Sequence, residues 1–256
     1  MTDSCAQSVH LARWEEATGL TKAFEGAWLE PPVEGTVALV TRCSDEQGVS
    51  SERALPRAVI EAAARHLASR GASVRLVLVP GDMDELGGHL RICAELEQSG
   101  FTVISKSSGR RLELTGEVLA SAEVEESVLD ADEVAVLAPA LPHHVLRVSA
   151  CRLELASALT PTSRRALWAL VPREDELMVA LDELGQGLNP RWVAAVIPGT
   201  TGTLIGGGDL VAVDSVAGAL LGLEQVDIPT TGLELETAHR GFSSAREQLP
   251  DAPGKF

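Results

Sequence analysis

Thr36-Val37-Ala38-Leu39-Val40, then Pro56-Arg57-Ala58-Val59-Ile60-Glu61-Ala62-Ala63-Ala64-Arg65-His66-Leu67-Ala68-Ser69-Arg70-Gly71, then Val74-Arg75-Leu76-Val77-Leu78-Val79 is the run of sequence that decides the fold. Its first and last pieces are short, rich in β-branched residues and almost free of polar interruption, which is the pattern of strands buried on both faces. In the middle piece Val59, Ile60, Ala63 and Leu67 share one face of a helix. Pro56 opens that helix, and Gly71 stands where a C-terminal cap belongs. The three pieces make a strand–helix–strand unit.

Outward from this unit the pattern repeats. Residues 101–104, 134–138 and 192–197 read as further buried strands. Helices are expected over 85–98, closed by Gly100, and over 173–183 and 209–221. Strands alternating with helices predict an α/β fold, a mostly parallel sheet with helices on both faces, Rossmann-like and doubly wound. Residues 1–34, with Trp14, Trp28 and a break at Pro31-Pro32, read as an N-terminal helical arm. Residues 35–246 read as a single α/β domain, and the polar stretch 247–256 as a flexible tail.

Composition narrows the partners. A chain of 256 residues, 45% hydrophobic and 23% charged, is long enough to bury about 70–75% of its unfolded surface. No apolar run approaches the roughly 20 residues that a membrane helix needs. The net charge is −16, with 37 acidic residues against 21 basic ones, the wrong sign for a phosphate backbone. Aromatic residues are only 3%, with no Tyr, so base-stacking platforms have little to be built from. The expected partner is a small molecule, with no nucleic acid and no membrane; self-association as a homodimer is left open. Cys5, Cys43, Cys93 and Cys151 are far apart with no C-x-x-C pair, and Asp3, Arg13, Glu15 and Glu16 stand where a secretory signal would be apolar. The compartment expected is the reducing cytoplasm, and no iron–sulfur cluster is expected.

In a sheet of this kind the ligand crevice lies beyond the carboxyl ends of the strands. That nominates the loops 42–45, 80–84, 105–111, 139–144 and 198–208. From them Arg42, Asp82, Thr200, Thr201 and Gly207 are the candidate substrate-binding residues. The glycines of 199–208 feed a helix and offer backbone amides to an anion, but they match neither G-x-G-x-x-G nor a Walker loop; tight turns are the competing reading. His143 and His144 are candidate acids or bases because imidazole titrates near neutrality; alternation lets one of the two face the crevice. Asp209 is placed to cap the last helix. Asp214 falls on the flank of the face formed by Leu210, Val213, Ala217 and Leu221, so a carboxylate points inward and needs a partner, a proton or a metal. It is either catalytic or a structural carboxylate bonded to loop amides. No cofactor is expected; the alternative is a divalent metal held by His143, Asp214 and Asp82. G-x-S-x-G, H-E-x-x-H and C-x-x-C are absent, which removes the common hydrolase, zincin and dithiol chemistries.

The segment Gly206-Gly207-Gly208-Asp209-Leu210-Val211-Ala212-Val213-Asp214-Ser215-Val216-Ala217-Gly218-Ala219-Leu220-Leu221-Gly222-Leu223 resembles the signature of the domain of unknown function 362 family. Upstream, 131–144 looks like that family's A-D-V-V-I-N-L-P-K-L-K-T-H stretch, and Pro161 with Arg164 and Arg165 follows in the family's order. The resemblance implies the same α/β fold and carries over Asp214, Asp209 and one of His143 or His144. The family's lysines are Ala140 and Pro142 here, Thr41-Arg42-Cys43 replaces its Lys-Pro-Asn, and its downstream Lys-Asn is replaced within 152–155. A diverged member without the ferredoxin-like segment is implied, its pocket turned toward a neutral or cationic, largely apolar substrate. The expected activity is a redox-neutral enzyme of specialised metabolism, such as a cyclase, isomerase or lyase. The alternatives are a metal-dependent lyase or hydrolase, and a non-catalytic binding or scaffold protein.

Overall fold

A computed structural model describes residues 7–14, 19–28, 35–43, 54–80, 86–104, 108–143, 146–197, 202–223 and 233–237. In chain order these form β1 (Gln7–Trp14), α1 (Leu20–Ala27), β2 (Gly35–Cys43), α2 (Arg57–Ser69), β3 (Ala72–Pro80), α3 (Leu86–Gln98) and β4 (Thr102–Ile104). A hairpin of β5 (Gly109–Glu113) and β6 (Ser121–Glu125) precedes α4 (Glu126–Leu129) and β7 (Glu133–Pro139). A second hairpin, β8 (Leu141–His143) and β9 (Arg147–Ser149), leads into α5 (Cys151–Leu155), α6 (Pro161–Trp168) and α7 (Glu174–Leu188). The described chain ends with β10 (Trp192–Ile197), β11 (Gly202–Gly207), α8 (Leu210–Leu220) and β12 (Leu233–Thr237).

Eight strands form one sheet in the order β12-β1-β11-β10-β7-β2-β3-β4. From β10 to β4 every neighbouring pair is parallel. The quoted unit is β2, α2 and β3, and β2 pairs with β3 along its whole length, from Gly35 opposite Ala72 to Cys43 opposite Pro80. Alternation then sorts the core onto two faces. Val37 and Leu39 pack with α1, α2 and α3, while Ala38 and Val40 pack with α5, α6, α7 and α8. The fold is therefore the expected doubly wound α/β arrangement, and its winding reverses between β2 and β7.

Two expectations need correction. Residues 7–14, expected to be helical, form a strand inside the sheet: Val9 and Leu11 enter one core, Ala12 the other, and β1 pairs antiparallel with β11 and parallel with β12. This period-two alternation outweighs the charged residues at the start of the chain. Among the described residues of 1–34, Leu20–Ala27 forms the α-helix. The glycine-rich stretch is also not a loop from 202 onward but β11, running antiparallel to β10 with Gly207 opposite Val193. Gly207 consequently lies at the amino edge of the parallel strands, away from the expected crevice. The glycines answer a need for room: a Cβ on Gly206 would lie 2.2 Å from the Ala27 carbonyl oxygen, and one on Gly202 2.0 Å from the Trp14 ring. The tail 247–256 lies outside the described residues. Among the described residues no helix is long and apolar enough to cross a membrane.

The α1–α2 side holds an aromatic cluster of fully buried Trp28, Trp192 and Phe24 with His66. The Trp28 indole donates to the Val193 carbonyl at 2.9 Å, and the Nε2 of His66 lies 3.1 Å from the Trp28 carbonyl, to which it donates. Burial holds the His66 pKa below its ordinary value, against the pull of that carbonyl. A histidine depressed in this way binds fewer protons folded than unfolded, so its contribution is complete above the unfolded pKa of about 6.5 and declines as the pH falls below it.

Two outcomes are expected. His66→Gln keeps an N–H for the Trp28 carbonyl but does not titrate, so its thermal midpoint should fall less than that of wild type between pH 7.5 and 5. Gly206→Ala should lower stability by about 1–3 kcal/mol in chemical denaturation, because the added methyl meets backbone rather than a movable side chain.

Candidate active site at the carboxyl edge

The reversal of winding leaves a gap between the carboxyl ends of β2 and β7, and α5 with the 3-10 turn Ala156–Ala158 packs against β2 there, α5 also against β7. β2 ends in Thr41-Arg42-Cys43. Alternation sends Arg42 to the α5 side, where its Nε donates to both carboxylate oxygens of Glu154, at 3.2 and 3.0 Å. The Glu154 side chain is fully buried, and the Ser157 hydroxyl donates to its Oε1 at 3.0 Å. Burial raises the Glu154 pKa, with the Arg42 charge acting in the opposite direction. From α6, Arg164 donates through Nη2 to the carbonyls of Ser157 and Leu159, at 3.3 and 2.8 Å. Its buried Nε has no hydrogen-bond partner among the described residues. Burial and then the nearby Arg42 charge lower the Arg164 pKa.

The other end of α5 is held by Asp214. This carboxylate is buried, as its place on α8 predicts: Oδ1 accepts from the Cys151 amide at 2.7 Å, and Oδ2 from the Arg152 amide at 3.1 Å and Arg152 Nε at 3.2 Å. Asp214 thereby caps a helix other than its own, doing for the first turn of α5 what a local N-cap side chain does elsewhere. Arg152 continues to Asp182 on α7 at 3.1 Å. Burial raises the Asp214 pKa against these donors and likewise pushes the Cys151 thiol well up. Asp209 caps α8 itself, accepting from the Ala212 amide at 2.7 Å.

His143 closes β8 at the same edge and is half-buried. Its Nδ1 accepts from the Leu146 amide at 3.0 Å, which leaves the proton of the neutral ring on Nε2. The hairpin starts from β7 through Ala140, whose amide donates to the Val196 carbonyl at 2.7 Å. His144, Asp82, Thr200 and Thr201 lie outside the described residues. Among the described residues no group of three or more His, Cys, Asp and Glu side chains is arranged to hold a metal ion.

On the opposite face of the sheet the structure assembles a set that the sequence reading did not connect. The Cys43 thiol lies 3.2 Å from His89 Nδ1 and the Cys93 thiol 3.6 Å from His89 Nε2, all three residues buried. A neutral imidazole donates from one nitrogen and accepts at the other, so one thiol donates a hydrogen bond to the ring and the other accepts one from it. The signal was present in the i, i+4 spacing of His89 and Cys93 on α3. Arg152, Glu154 and Arg164 also join the site without having been singled out by the sequence: α5, which carries the first two, is five residues long, too short for its period to reveal which side is inward, and Arg164 on α6 is brought in by bonds to the Ser157 and Leu159 carbonyls.

Substitution at Asp214 separates its two readings. Asp214→Asn retains one acceptor oxygen and loses the charge, so stability should fall by about 1–3 kcal/mol. Asp214→Ala should cost more, about 3–5 kcal/mol, because the Arg152 guanidinium and two amides lose a buried partner. Denaturation midpoints measured beside activity show whether the two quantities fall together.

No protein-family model and no curated protein matches this chain. The likeness to the domain of unknown function 362 family therefore rests on the residues quoted above. Among solved structures the chain is similar to the lactate racemase apoprotein from Thermoanaerobacterium thermosaccharolyticum, with a TM-score of 0.49 and 12% identity over 77% of this chain and 51% of that one. The chain spans about half the length of that protein.

Proposed function

We propose that this chain is a redox-neutral enzyme of the isomerase or lyase type that moves a proton on a small, largely apolar molecule at the carboxyl edge, where β2 and β7 part. The observation that carries this reading is the Arg42–Glu154 pair: a fully buried carboxylate orients an arginine at the one point where the winding reverses. Doubly wound sheets bind ligands at this point. His143 is the proton carrier in this reading, since its ring is half-buried at the same edge with Nδ1 held by a backbone amide. Asp214, with both oxygens bonded to α5, holds the site rather than entering the chemistry. The family likeness over 206–223 and the role in specialised metabolism belong to this proposal, as does a cytoplasmic location, in keeping with the buried thiols of Cys43, Cys93 and Cys151.

The test is exchange in deuterated water. The protein is incubated with a panel of small metabolites carrying an acidic C–H bond, and label is read by mass spectrometry. Turnover with incorporated deuterium is expected, and His143→Ala should slow it by about 10²–10⁴-fold, far more than the small fall in thermal midpoint from the lost Leu146 hydrogen bond accounts for. Saturable binding with no exchange across the panel overturns the enzyme reading in favour of a binding protein.

A further inference from the structure

Resting on the small-molecule reading of the carboxyl edge, we infer that the substrate's polar end is a carboxylate, received end-on by Nη1 and Nη2 of Arg42. A guanidinium is a flat plate with five N–H bonds, and it offers a carboxylate either its Nε side or its Nη1/Nη2 end. Here the Nε is spent on Glu154. The other end makes no hydrogen bond or ion pair among the described residues, and the side chain keeps 16% of its surface exposed. Among the described residues, four directed N–H bonds where β2 and β7 part are thus left for a ligand from outside.

Glu154 cannot itself be that ligand's partner, because it is fully buried and already accepts from Arg42 and Ser157. Its role is positioning: it fixes the direction of the Arg42 plate before any ligand arrives, so little ordering remains to be done on binding. Among the described residues the charges facing this point are those of Arg42, Arg164 and Glu154, with Glu125 acting on Arg164 from the end of β6. One guanidinium end matches two oxygens in a plane. A phosphate monoester would bring a third oxygen and a second negative charge toward Glu154, which disfavours it. On this inference the substrate is an acid, where the family resemblance implied a neutral or cationic molecule.

The experiment is a ligand-observed NMR titration of the full chain with hexanoate, hexanamide and hexyl phosphate, which share one apolar tail. Hexanoate should bind about tenfold or more tighter than hexanamide, and tighter than hexyl phosphate. Arg42→Lys keeps the charge beside Glu154 but loses the fork, so it should weaken hexanoate by about tenfold and leave hexanamide unchanged. Equal binding of hexanoate and hexanamide overturns the carboxylate inference while the small-molecule reading stands. So does undiminished hexanoate binding in Arg42→Lys, or hexyl phosphate binding as tightly as hexanoate. Saturable binding by none of the three overturns both. Should Arg42→Lys fail to fold, the three-ligand comparison on wild type decides alone.

Discussion

Two carboxylates removed from water, Glu154 and Asp214, set the terms on which the carboxyl edge is built. An ionised group in a protein interior costs several kcal/mol unless charged donors and hydrogen bonds surround it, and the same five-residue helix is involved in both solutions. Asp214 meets the amides at the start of α5, Glu154 projects from its last turn, and Arg152 and Arg42 neutralise them from either side. A helix of this length does not stand alone in water. It is held by side chains from α8 and β2, and through Arg152 from α7, so the position of the gap between β2 and β7 depends on all three elements.

This dependence explains how the site differs from an ordinary buried core. Val40, Ala138 and Leu155 pack without preference for direction, and a volume-conserving exchange among such residues is tolerated. The ionic pairs have fixed directions, and they fix the orientation of the arginine plate at the rim. Rigidity here comes from polar bonds inside a dry surround, where each bond is strong and each missing partner is costly.

The parallel half of the sheet was legible because burial on both faces leaves a sequence mark: 36–40, 74–79, 134–138 and 192–197 are apolar runs broken only by Thr36 and Arg75. The inward flank of Asp214 was legible for the same reason, since eleven residues of α8 define a face. β1 was not legible. Its alternation of Val9 and Leu11 with His10 and Ala12 is a half-polar pattern that competes with a helical one over so short a stretch. β11 was hidden by its glycines, which signal turns in isolation and only in the folded sheet prove to be spaces for Ala27 and Trp14. The Arg42–Glu154 pair joins residues 112 positions apart, and no local period records a contact of that range.

The antiparallel return of β11 has a consequence for the order in which the chain matures. Of the described strands β1 is synthesised before the others, yet its hydrogen-bonding neighbours are β11 and β12, with Val9 opposite Gly207 and Leu235. For most of synthesis β1 therefore carries two unsatisfied edges, while β2, β3, β4 and β7 already have one another. Edges of that kind recruit other strands, and pairings across such sequence distances form late. Among the described strands β1 is thus the one most prone to wrong association during synthesis, until β11 is made and closes it into the sheet.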